Sequence, residues 1–235
     1  MFGLGTIINT LSVIVGGLLG IVMKSGLKEK YQNILMQALG LATLFIGISG
    51  AMKGMLTIIN NEIETQGSMI LIVSLVLGAL IGEFLDIERR LEYLGEFIKK
   101  TVKFKDHSRF VEGFVTSSLV ICVGAMAIVG SLQDGLHGDY SMLVAKSVLD
   151  FIIVMIFAST LGIGVIFSAF PLFIYQGGMT LFASLLAPLF TQGVITHLSF
   201  VGSVLICAVG VNLCFDKKIK VGNMLPAMLI PLFFH

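Results

Sequence analysis

Charge is scarce in this chain. Only 12% of its 235 residues are Asp, Glu, Lys or Arg, against about 25% in an ordinary soluble domain. With 56% hydrophobic residues and a mean hydropathy of +1.00, that deficit excludes a conventional water-soluble globule. The net charge of +1 leaves no global bias toward nucleic acid, and no nucleic-acid partner is expected. Cysteine is scarce as well. Cys122, Cys207 and Cys214 fall inside apolar runs, are odd in number and show no CxxC spacing. They read as small buried residues. No GxxxxGK[ST] loop is present, so any active transport would be secondary. No nucleophile, base or metal-ligand set has persuasive spacing, so neither an enzyme, nor a cofactor, nor a metal site is expected. The start, Met1 to Gly5, lacks the positive n-region of a signal peptide.

Lys and Arg are missing from the connections around 56–67, 133–141 and 191–197. They gather instead in three clusters. Lys24, Lys28 and Lys30 form the first. Arg89, Arg90, Lys99, Lys100, Lys103, Lys105 and Arg109 form the second, and Lys217, Lys218 and Lys220 the third. Basic residues collect in the cytoplasmic loops of multi-pass membrane proteins. The alternation places the loops around 24–34, 87–112 and 216–220 in the cytoplasm and the N-terminus outside.

Crossing the hydrocarbon core takes roughly 20 apolar residues as helix. The apolar runs predict spans near 3–23, 35–55, 68–86, 113–132, 142–168, 172–190 and 197–215, with a shorter segment at 221–235. Bare backbone polar groups are not tolerated in lipid, so these spans are helices. The expected fold is an all-α polytopic bundle, one integral membrane domain over 1–235. The 27 glycines suit membrane helices that pack backbone to backbone. Segment 86–105 differs: Ile87, Leu91, Leu94 and Ile98 recur at helical spacing among charged residues. It predicts an amphipathic helix on the cytoplasmic surface. The run Ser12–Gly20 resembles Ser74–Gly82, which suggests repeated helix hairpins. Gly16, Gly20, Gly78 and Gly82 form small-residue stripes suited to helix packing, within the chain or between copies as a homo-oligomer.

Polar residues inside or beside spans are the functional candidates: Asn9, Gln133, Asp134, Lys146, Asp150 and Gln176. Lys146 and Asp150 stand one helical turn apart, and an i,i+4 pair partly neutralises itself. Asp150 lies about 12 Å along its run at 1.5 Å per residue, where an isolated charge is costly. The stretch Gln133–Asp139 reads as a Gly-punctuated outer turn. Gly162–Gly178 is the least regular apolar part and predicts either a broken helix, with backbone groups free for a ligand, or a tight turn.

The runs Gly124–Gly135, Lys146-Ser147-Val148-Leu149-Asp150, Tyr175-Gln176-Gly177 and Asn223–Ala227, with Gly5–Asn9 and Gly16–Gly20, resemble the YqgA/YdfK-like family. That family comprises bacterial inner-membrane proteins with a domain of unknown function. The resemblance spans essentially the whole chain. It implies a multi-pass protein of the bacterial cytoplasmic membrane and a link to biofilm formation, but no reaction or substrate. In that family Gly often follows the Asp of the fifth-span motif. Phe151 stands there in this chain, so tight packing is not expected at that point. Two readings of function follow: a transporter or channel for a small solute or ion, or a non-transporting membrane scaffold or signalling protein.

Overall fold

The computed structural model describes residues 3–24, 29–59, 62–101, 109–215 and 219–233. Lys28, Lys103, Lys105, Lys217 and Lys218 of the basic clusters lie outside the described residues. The chain is almost wholly helical. In order come α1 (Leu4–Lys24), α2 (Glu29–Met55), the strands β1 (Leu56–Ile59) and β2 (Glu62–Thr65), α3 (Ser68–Leu85), α4 (Ile87–Thr101), α5 (Phe110–Cys122), α6 (Ala125–His137) and α7 (Ser141–Leu161). A 3-10 segment (Ile163–Ser168), α8 (Ala169–Leu181), α9 (Ala183–Leu186), α10 (Gln192–Phe215) and α11 (Val221–Met224) follow, with short 3-10 turns to Phe233. Among the described residues, six helices are long and apolar enough to cross a membrane, or seven if α5 and α6 count as one bent span. Large apolar side chains on these helices face outward, such as Ile7, Leu11, Val15, Leu18 and Val22 on α1 and Ile72, Val76, Leu80 and Phe84 on α3. In water such faces would drive association; in a bilayer they meet lipid.

Four expectations change. The fourth span is not continuous: α5 and α6 meet at 62°, across Gly124 with φ +147, a backbone setting that only glycine adopts without strain. The fifth span stops at Leu161 rather than 168, because Gly162 takes φ 88 and starts the 3-10 segment. The sixth then occupies Ile163–Leu181 instead of 172–190, so the irregularity lies at its start and Tyr175–Gly178 is regular helix. Gln133–His137 is the last helical turn of α6, not a loop. The antiparallel hairpin β1–β2, with Leu56 opposite Thr65 and Ile59 opposite Glu62, was not foreseen. Within the expected segment 86–105, α4 covers Ile87–Thr101 and residues 102–105 lie outside the described residues; Leu91, Leu94 and Ile98 are half-buried, Gly95 is buried, and Arg89, Arg90, Tyr93 and Phe97 are exposed.

Backbone contacts divide the chain into two compact units. The first comprises Met1–Ala38, Arg90–Cys122 and Met126–Ala187; the second comprises Leu39–Arg89, Val123–Ala125 and Pro188–His235. Glycines close each of them. In the first, α1 lies along α7, where a Cβ at Gly16 would sit 2.6 Å from the Phe151 carbonyl oxygen and one at Gly20 would sit 2.1 Å from that of Met155. Helix packing is therefore tight at Phe151, against expectation: its carbonyl comes nearest to Gly16, with its Cα and ring edge next at 3.2 Å. In the second, Gly40, Gly47, Gly50 and Gly54 of α2 meet Cys214, Cys207, Ser203 and Phe200 of α10. Gly78 and Gly82 of α3 meet the backbone of Ala227 and Asn223. The similar runs Ser12–Gly20 and Ser74–Gly82 thus each supply a close seam, one per unit.

Asn223 fastens the C-terminal segment of the second unit. Its Nδ2 donates to Glu83 Oε2 at 2.6 Å, and its Oδ1 accepts from the Glu88 backbone N–H at 2.6 Å. The Gly222 N–H donates to Glu88 Oε2 at 3.0 Å. Lys220 Nζ reaches Glu83 Oε1 at 2.5 Å, and that hydrogen bond raises the Lys220 pKa above its ordinary value. Replacing Asn223 by Leu removes its hydrogen bonds to the Glu88 N–H and to Glu83. Thermal unfolding of the purified variant in detergent is expected to show a loss of about 1–3 kcal/mol; wild-type stability would mean the segment is held without the Asn223 hydrogen bonds.

Candidate functional site

The first unit encloses a polar cluster in apolar surroundings, and the break after α5 explains how it is built. A helix end leaves its last carbonyls without intrahelical partners and carries partial negative charge. Ending α5 at Cys122 places such an end beside α7. The Lys146 ammonium donates to the freed Ile121 carbonyl at 2.8 Å. It also donates to Asp150 Oδ2 one turn further along α7. Lys146 is 6% exposed and Asp150 3%, so Lys146 does not run out to the interface. The ammonium sits between a carboxylate and the negative end of a helix dipole.

Two amides extend the cluster. Asn9 Nδ2, from α1, donates to Asp150 Oδ2 at 2.9 Å and to Gln176 Oε1 of α8 at 3.3 Å. An ionised carboxylate only accepts, so it turns the Asn9 nitrogen toward itself. The nitrogen in turn draws the Gln176 oxygen. Asn9 Oδ1 and Gln176 Nε2 are left without a hydrogen-bond partner among the described residues, although both side chains are fully buried. One turn nearer the α1 N-terminus, the hydroxyls of Thr6 and Thr180 lie 3.4 Å apart.

Of the six residues read from the sequence, Asn9, Lys146, Asp150 and Gln176 converge. Asp134 and Gln133 do not join them. Asp134 is fully buried and serves the start of α1: its carboxylate oxygens accept from the Gly3 N–H at 3.2 Å and the Gly5 N–H at 3.0 Å. An acidic group at a helix N-terminus meets the positive end of the dipole. Gln133 is half-buried on the same last turn of α6. Sequence reasoning missed the Ile121 carbonyl, Thr6, Thr180 and Ser131, the last also buried and without a partner among the described residues. Among the described residues, no group of three or more His, Cys, Asp or Glu is placed to hold a metal.

Apolar outer faces, spanning helices closed by glycine seams and a charge-compensated polar interior define a multi-pass helical membrane protein. The chain belongs to the DUF554 family: the family model described as "Protein of unknown function (DUF554)" matches residues 4–235. It is 36% identical over 227 residues to the "Uncharacterized membrane protein YdfK" of Bacillus subtilis (strain 168), covering 97% of this chain and 93% of that protein. It is 33% identical over 231 residues to the "Uncharacterized protein YqgA" of Escherichia coli (strain K12), covering 97% and 94%. No solved structure matches it.

Proposed function

We propose that the chain is a secondary transporter or channel for a small solute or ion, with its pathway through the first unit at Asn9, Lys146, Asp150 and Gln176. The observation that carries this reading is the buried Lys146–Asp150 pair, seated on the freed Ile121 carbonyl of a broken span. Ion pairs in apolar surroundings seldom hold a fold better than apolar side chains of the same volume. Ionisable groups within spans commonly mark conduction paths, and transporters build sites from interrupted helices at mid-membrane. Gln133 and Asp134 would stand near the outer mouth.

The basic clusters support a place in the bacterial cytoplasmic membrane with the N-terminus outside and α4 on the inner surface. Gly16, Gly20, Gly78 and Gly82 are closed within their own units, so a homo-oligomer would assemble through other faces. A scaffold reading draws on α4 alone, where Tyr93 and Phe97 are 73% and 61% exposed beside Arg89 and Arg90. That face suits a lipid surface or a partner.

Uptake or current in proteoliposomes, screened over cations, protons, anions and uncharged solutes, tests the transport reading. Wild type is expected to carry at least one of these classes, and Asp150→Asn to fall to the level of empty vesicles. Normal flux through Asp150→Asn would remove the residue from the pathway. A wild type that moves nothing would favour the scaffold.

A further inference from the structure

We infer that the ligand of this site is an uncharged molecule that both donates and accepts hydrogen bonds, either water or a small alcohol- or amide-like solute, and that Ser131 is part of its site. The inference rests on the transport reading and names its substrate class. Three buried polar atoms of the first unit have no partner among the described residues: Asn9 Oδ1, Ser131 Oγ and Gln176 Nε2. All three side chains are 0% exposed. The two amides already meet through Asn9 Nδ2 and Gln176 Oε1 at 3.3 Å.

Helix register supports placing Ser131 beside them. A Cβ at Gly135 of α6 would lie 2.4 Å from the Thr180 carbonyl of α8. Both helices end near the start of α1, where Gly5 meets Asp134 and Thr6 meets Thr180. One turn back from that contact, Ser131 on α6 and Gln176 on α8 stand at the same level.

The free valences decide the chemistry. Asn9 Oδ1 can only accept, Gln176 Nε2 can only donate, and the Ser131 hydroxyl can do both. The two charges beside them, Lys146 and Asp150, already cancel each other. A cation would satisfy Asn9 Oδ1 and Ser131 but would face the Gln176 N–H groups and the Lys146 ammonium. An anion would satisfy Gln176 and Ser131 but would face Asp150 and the Asn9 oxygen. A neutral donor–acceptor satisfies all three, and leaving them unsatisfied in an apolar interior is costly.

The test is stopped-flow light scattering of proteoliposomes containing the full chain. Sucrose shrinkage reads water, and glycerol and urea re-swelling read neutral solutes. Sodium, potassium, proton and chloride fluxes are measured in the same vesicles. The expected result is protein-dependent flux of water, glycerol or urea with no ion flux above empty vesicles. Which of the first two arms responds separates water from solute. Ser131→Ala, which removes a hydroxyl without adding bulk, should slow that flux about two- to tenfold, the equivalent of one hydrogen bond, with unchanged thermal stability. Selective ion flux without neutral flux overturns the substrate class and leaves the transport reading standing. Neutral flux untouched by Ser131→Ala overturns the place given to Ser131. No flux of any kind overturns the transport reading and the inference with it.

Discussion

Replacing Lys146 by Met is expected to destabilise the folded chain by about 3–5 kcal/mol, and Asp150→Leu by a similar amount. Each change leaves a charge in a nearly dry interior, since the two residues are 6% and 3% exposed. The double variant Lys146→Met/Asp150→Leu removes both charges and puts apolar side chains of similar length in their place. It is expected to recover most of the loss, because well-packed apolar residues replace buried pairs at little cost. Recovery will be incomplete, since Lys146 also satisfies the Ile121 carbonyl and Asp150 also receives Asn9 Nδ2. Detergent denaturation of all four proteins closes the cycle. The same double variant should carry no flux, which separates what the pair does for folding from what it does for transport. A stable double variant with normal flux would leave the pair no role in conduction.

The glycine seams give the second large effect. A Cβ at Gly20 would lie 2.1 Å from the Met155 carbonyl oxygen, and one at Gly82 would lie 1.8 Å from that of Asn223. These neighbours are backbone, so whole helices must move apart. Gly20→Ala and Gly82→Ala are expected to cost on the order of 1–3 kcal/mol each, and Leu at either site more. Gly178, within α8, has nothing within 4 Å of a built Cβ. Gly178→Ala should be neutral, or more stable by up to about 1 kcal/mol through helix propensity alone. Size-exclusion profiles and thermal unfolding of the purified proteins check all of these. Tolerance of Ala at Gly20 and Gly82 would mean the seams are looser than described.

The sequence made the helices plain where a long apolar run ends in charge, as at Lys24 and Asp86, because the bilayer imposes both features. It was opaque where a span is interrupted inside the membrane. Gly124 looks like any other glycine of an apolar helix until its φ is known, and the freed Ile121 carbonyl has no signature in side-chain identity. The gap left between the expected spans 142–168 and 172–190 contains Pro171, but proline is tolerated in the first turn of a helix, and Gly162 made the break instead. Asn9, Lys146, Asp150 and Gln176 were visible because polarity is rare in such runs. Their convergence depends on α1 packing along both α7 and α8, which no local pattern encodes. Ser131, Thr6 and Thr180 were overlooked because small hydroxyl residues in membrane helices usually only pack. Asp134 was visible as an acid but not as the group that binds the first N–H groups of α1, since its helix was read as a turn.

Solvent access at the polar cluster tests the central claim most directly. The probe is a single cysteine at Gln176 or Asp150, on a chain with Cys122, Cys207 and Cys214 replaced by Ala, treated with a membrane-impermeant thiol reagent in intact cells and in inverted vesicles. Asp139→Cys, at an exposed position, serves as the labelling control. A transport pathway predicts that position 176 reacts from at least one side of the membrane, although its side chain is 0% exposed in this structure, because a working site must open to water. If positions 176 and 150 stay unlabelled from both sides while 139 reacts and the protein remains folded, the cluster is sealed and the transport account is contradicted.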